Sequence, residues 1–156
     1  MRRMFLPFLA VPLAGCLHMS GAPISFTAPT PQTSADAYSC ALRKVNELGY
    51  TITNANKDAG FITADKVTSS VAEHLFTNSE VFDRLTVSIF DAADGKGRTI
   101  RATSAKTQVS TEAANIPPRS INPSGQGIAD AQGLLLTCGS GPIVRQASEP
   151  NAVKTK

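Results

Sequence analysis

The sequence predicts an α+β domain: a two-layer sandwich in which an antiparallel four-stranded sheet carries two helices on one face, in the order α-β-β-β-β-α. Three patterns carry that expectation. Tyr38, Ala41, Leu42, Val45 and Leu48 recur at helical spacing early in the chain. Ile128, Ala131, Leu134, Leu135 and Cys138 do the same late in it. Between them, Leu85, Val87 and Ile89 alternate with Thr86 and Ser88, and Ile100 and Ala102 alternate with Thr99, Arg101 and Thr103. That is the period of strands with one buried face.

Each element has its own punctuation. Thr33 with Asp36 three residues on is a capping-box-like start for the first helix, and Gly49 ends it. Tyr50 to Asn54 and Phe61 to Val67 read as two strands joined by the turn residues Lys57-Asp58-Ala59-Gly60. The second hairpin turns at Asp94-Gly95-Lys96-Gly97. Between the hairpins, a weak signal around Val71 to Phe76 suggests a short helix. Thr107 to Pro123, with Pro117-Pro118, reads as a long polar loop, and Ser124 as the cap of the second helix. Gly133 weakens that helix by roughly 1 kcal/mol. About a hundred residues suffice for one buried core.

The chain opens MRRMFLPFLAVPLAGC: two arginines, an apolar run of about ten residues, small residues, then a cysteine. This is the layout of an export signal, too short to span a bilayer of roughly 30 Å hydrocarbon thickness. Leu13-Ala14-Gly15-Cys16 resembles the lipobox of bacterial lipoproteins. The resemblance covers only the signal region. It implies cleavage before Cys16, acylation of its thiol, and a membrane anchor, since two or three acyl chains together hold almost irreversibly at about 0.8 kcal/mol per buried methylene. Leu17 stands where an aspartate would retain such a protein in the inner membrane, so the expected place is the outer membrane, facing the periplasm. Arg2-Arg3-Met4-Phe5-Leu6 also looks like a twin-arginine export core, although Met1 alone precedes it and Pro7 departs from the pattern.

The expected division is therefore 1–15 signal peptide, 16–33 lipidated cysteine and Pro-rich tether, 34–140 globular domain and 141–156 disordered tail. As a partly polyproline segment the tether would reach about 50 Å. Without Arg2 and Arg3, thirteen basic residues face twelve acidic ones. Such a balance gives no reason to expect a nucleic-acid partner. No stretch reaches the roughly 18 apolar residues of a membrane-spanning helix, which argues against a polytopic helical protein.

Once Cys16 is acylated, Cys40 and Cys138 remain, an even pair in an exported chain, and a disulfide is the expected outcome. An even number of antiparallel strands between two helices makes the helices antiparallel, so an early Cys40 and a late Cys138 meet at one end of the helical layer. Cys40 falls off the apolar stripe of its helix, which places the bridge at the helix-helix flank.

The residues predict no catalytic, cofactor-binding or metal site. The histidines are His18 and His74 alone, there is no G-x-S-x-G elbow, and Glu73-His74 point to different faces of any regular element. Gly95-Lys96-Gly97 lacks the rest of a dinucleotide fingerprint, and Asp91-Ala92-Ala93-Asp94-Gly95 lacks the acidic spacing of a calcium loop. The remaining surface is the sheet face away from the helices, where Thr51, Thr53, Thr63, Asp65, Thr86, Ser88, Arg101 and Thr103 should project. It is the wet face of a one-sided sheet, or a surface for a partner strand or glycan.

Cys40 to Tyr50, CALRKVNELGY, followed by a strand, Lys57-Asp58-Ala59-Gly60 and Phe61-Ile62-Thr63-Ala64, resembles the helix-then-hairpin unit of small envelope lipoproteins, such as that found among the lipoprotein components of the outer-membrane β-barrel assembly machine. The likeness spans residues 34–67 and transfers no binding residue. The expected function is that of a lipid-anchored, non-enzymatic accessory, scaffold or binding domain that meets other envelope proteins or glycans. The alternatives are a periplasmic enzyme inhibitor, a small hydrolase, or a small-ligand carrier with an apolar cavity between helices and sheet.

Overall fold

The computed structural model describes residues 21–69, 77–93, 95, 97–112 and 116–146. These form one α+β layer pair, a seven-stranded sheet with two helices on one face. In chain order the elements are β1 (Ile24–Thr30), α1 (Ser34–Glu47), β2 (Thr51–Asn56), β3 (Phe61–Val67), β4 (Ser79–Asp91), β5 (Arg98–Ser110), β6 (Arg119–Ile121), α2 (Gly125–Cys138) and β7 (Val144–Gln146). The sheet runs β2-β3-β4-β5-β1-β7, and β6 pairs with β5 beyond the end of β1.

Both helices start where their caps stand. Thr33 Oγ1 accepts the Asp36 N–H at 3.2 Å and donates to its carboxylate at 2.6 Å. Ser124 Oγ accepts the Gly127 N–H at 2.8 Å. These satisfy N–H groups that a helix start otherwise leaves orphaned. Ala37, Tyr38, Ala41 and Val45 of α1, and Ala131, Leu134, Leu135 and Cys138 of α2, bury against Phe26, Ala28, Ile62, Ala64, Leu85, Val87, Ile100 and Ala102 of the sheet. Fully burying an aliphatic side chain of this size contributes about 1.5 to 3 kcal/mol. The first hairpin turns at Gly60, whose φ of +61° favours glycine, and the Asn56 side chain accepts the Ala59 N–H at 3.0 Å.

The expected four strands are a subset of the seven, and the chain enters the sheet before α1 rather than at it. Ile24–Thr30, read as tether, is β1, inserted between β5 and β7. Its Pro29 is tolerated because β7 covers only Ser25 to Thr27. At Pro29 the carbonyl on that side accepts from Ser140 at 2.7 Å, and no strand there requires an N–H. Val144–Gln146, read as tail, is β7, too short to show a period. The hairpin of β4 and β5 is thirteen residues long on each arm, so Thr107 to Ser110 is strand rather than loop. Beyond Ser104, β5 reads Ala-Lys-Thr-Gln-Val-Ser, and without an apolar alternation the strand is invisible in sequence. The short helix expected at 71–76 lies outside the described residues, as do Cys16, His18 and His74.

Cys40 and Cys138 lie at disulfide distance, with sulfurs 2.10 Å apart and Cα atoms 5.8 Å apart. Cys40 is only partly buried whereas Cys138 is fully buried, so the pair sits on the flank between α1 and α2.

Candidate functional site

No described element covers the face of the sheet away from the helices, and strand register dictates what it presents. Directly opposed residues share a face. Thr63, Thr86, Thr103 and Ser25 stand opposite one another across β3, β4, β5 and β1, making one row of hydroxyls. A second row runs Phe61, Ser88, Arg101 and Thr27. Thr51 and Asp65 form a pair toward the β2 edge. Of the eight residues expected on this face, seven are thus brought together. Thr53 is the exception: the register shifts between Ile52 and Asn54, which sets Asn54 opposite Thr63 and leaves Thr53 in the bulge, its hydroxyl donating to the Thr63 carbonyl at 3.2 Å.

Charge on this face is largely compensated. Arg84 grips Asp65 with two parallel bonds, Nε to Oδ1 at 2.7 Å and an Nη to Oδ2 at 2.8 Å. The hydrogen bond to Asp65 holds the Arg84 guanidinium above its ordinary pKa, against the smaller opposing effect of burial. Arg101 lies 5.0 Å from the Phe90 ring centroid, a cation-π distance. Thr103 and Ser25 hydroxyls bond to each other at 2.8 Å. The result is a flat field of hydroxyls at the roughly 4.8 Å spacing of strands, bordered by phenylalanine rings and one stacked arginine. Its chemistry is that of a surface that exchanges hydrogen bonds and stacking with a polar partner.

A second constellation lies on the helix side, and the sequence pattern did not single it out. Tyr50, at the entry to β2, donates its hydroxyl to Asp130 Oδ2 of α2 at 3.1 Å, and Gln126 donates to Oδ1 at 2.7 Å. Lys66 Nζ is 3.9 Å from the same carboxylate, donates to the Leu48 carbonyl at 2.9 Å, and stands over the Tyr50 ring. One strand over, Asp83 accepts from the Ser124 hydroxyl, locking the cap of α2. Burial first, then the charge and hydrogen bond of Asp130, hold the Tyr50 hydroxyl proton well above the ordinary range.

A signal for this group exists in the pattern. Asp83 is in phase with Leu85, Val87 and Ile89, and Asp130 is in phase with Leu134. Tyr50 and Asp130 are each 4% exposed, and Asp83 and Ser104 are each 1% exposed. Solvent therefore meets little of this group, and its evident work is to fasten α2 to β2, β3 and β4. Asp83 Oδ1 and Ser104 Oγ are buried without a hydrogen-bond partner among the described residues.

Two concavities flank α2. One, of about 340 Å³, lies beside Cys40 between the helices, edged by Gln32, Asp36, Arg43 and Thr137. The other, about 270 Å³, is a groove between α2 and the β1/β7 edge, with Phe26 and Ile128 in its walls. That is just under the about 300 to 1,000 Å³ typical of small-molecule sites. Among the described residues, no cluster of three or more His, Cys, Asp or Glu has metal-binding geometry. No known family model matches the chain, and no curated protein matches it either.

Proposed function

We propose that the chain is a lipid-anchored lipoprotein of the cell envelope, held at the outer membrane by Cys16, whose domain is a non-enzymatic accessory that binds another envelope component on its uncovered sheet face. The observation that carries the reading is the Cys40–Cys138 pair at disulfide distance. Structural disulfides persist in oxidising compartments and are rare in the cytosol. The pair therefore supports export independently of the leader that first suggested it. The uncovered face supports the binding role: it is broad, nearly charge-compensated, and lined by hydroxyls and aromatic rings rather than by a reactive cleft.

The test is recovery of envelope proteins and glycan fragments with the anchored protein, compared with Thr86→Lys. A lysine in the middle of the hydroxyl row should abolish recovery while leaving thermal unfolding unchanged. Turnover of a substrate by the isolated protein, with recovery indifferent to Thr86, would remove the accessory reading.

A further inference from the structure

We propose that the side of the domain formed by α2, β7 and the start of β1 lies flat against the bilayer, and that its groove seats the headgroup and first methylenes of an anionic phospholipid. The inference deepens the reading above and rests on acylation of Cys16.

Chain length sets the distance. The Gly21 N–H donates to the Ser120 carbonyl at 3.3 Å, and a Cβ on Gly21 would come within 2.0 Å of the Ile121 backbone. The chain is thus fastened to β6 at Gly21, five residues after Cys16. Fully extended, five residues span at most about 18 Å. The anchor therefore cannot hold the domain some 50 Å from the membrane, as a tether running to residue 33 would have done. A surface close to Gly21 must face lipid.

Charge selects which surface. Ile24, three residues beyond Gly21, lines the groove of about 270 Å³ together with Phe26, Ile128, Gln132, Ile143 and Arg145. Arg145 is the one charged side chain in that lining, a cation in a largely apolar wall that holds no carboxylate among the described residues. Leu136, one turn beyond Gln132 on α2, is 73% exposed. The exposed positions of α2, Gly125, Gln126, Ala129, Leu136 and Thr137, carry no charge at all. By contrast α1 turns Asp36, Arg43 and Glu47 to solvent. Apolar surface rimmed by a cation is what the boundary between headgroups and acyl chains of an anionic membrane accommodates. Seated this way, the domain leaves its hydroxyl-lined sheet face free.

The experiment uses the full-length, cell-processed protein reconstituted in vesicles of phosphatidylethanolamine and phosphatidylglycerol, with a photoreactive benzophenone side chain placed at Gln132, at Leu136 or, on the uncovered face, at Thr86. After irradiation, lipid adducts are counted by mass. The expected result is lipid adducts at Gln132 and Leu136 at least tenfold above Thr86, with Arg145→Glu lowering the Gln132 yield several-fold while the protein stays on the vesicles. Equal yields at all three positions, or adducts joining two copies of the chain at Gln132, would overturn the inference and leave the anchor intact. Protein that does not float with the vesicles would overturn the anchor as well, and flotation is read before any adduct is counted.

Discussion

The Tyr50 hydroxyl donates to the carboxylate of Asp130 at 3.1 Å, joining the entry of β2 to the middle of α2 across 80 residues of sequence. The link is buried at both ends, which is where a hydrogen bond to a charged group contributes most. Tyr50→Phe should therefore cost about 1 to 2 kcal/mol in urea unfolding near neutral pH. The pH dependence follows in sign. In the unfolded chain Tyr50 ionises near 10.0, whereas in the folded protein its pKa is raised. Its contribution is complete below pH 10 and declines as pH rises beyond that. Urea midpoints from about pH 8 to 11 should fall more steeply for the native protein than for Tyr50→Phe, and parallel curves would contradict the assignment.

The Cys40–Cys138 pair closes a loop of 98 residues. On the chain-entropy model such a link contributes about 4 to 5 kcal/mol, less any native strain. That is comparable to the net stability of many small domains. Replacing both cysteines with serine, or reducing the protein, should lower the melting temperature by well over about 10 °C. Mass mapping without reductant should recover one peptide containing both cysteines, and two free thiols would dismiss the link.

Gly60 sits at φ +61°, and a Cβ there would approach the Ile89 carbonyl oxygen to 2.7 Å. A left-handed backbone and a backbone contact that cannot yield act together. Gly60→Ala should cost about 2 kcal/mol or more, whereas Gly95→Ala, with a positive φ but open space around it, should cost less. Denaturant midpoints of the two variants check the order.

Arg84 and Leu85 are neighbours on β4 that face opposite ways. The Arg84–Asp65 ion pair is partly exposed, and such pairs contribute at most about 1 kcal/mol. Leu85 is fully buried under the helices, where truncation costs about 2 to 5 kcal/mol. Arg84→Ala should be nearly silent in thermal unfolding and Leu85→Ala severe. Comparable losses would mean that the strand is turned the other way.

What sequence revealed follows from where one apolar face met one polar face. Leu85, Val87, Ile89, Ile100 and Ala102 alternate because helices cover one side of β4 and β5 only, and the two helices announce themselves through caps at Thr33 and Ser124. The lower halves of the same strands escaped notice because polar residues such as Lys106, Thr107 and Gln108 give no period, and β1 was hidden by Pro29 and by its place ahead of the first helix. The uncovered face was legible because it is the complement of the buried one. The bulge that displaces Thr53 was not, since a one-residue shift in register leaves no mark in composition. Tyr50, Asp83 and Asp130 were missed for a different reason: Asp83 and Asp130 stand in phase with apolar positions, but no local pattern tells which distant polar groups meet in the core.

The central claim is that Cys16 carries acyl chains that moor this domain outside the cytosol. Intact-mass measurement of the protein extracted from cell membranes tests it most directly. The expected species begins at Cys16, lacks residues 1–15, is heavier by a diacylglyceryl group with or without a further acyl chain, and retains the Cys40–Cys138 link. A chain still bearing Met1, or one with an unmodified Cys16 thiol, would contradict the account.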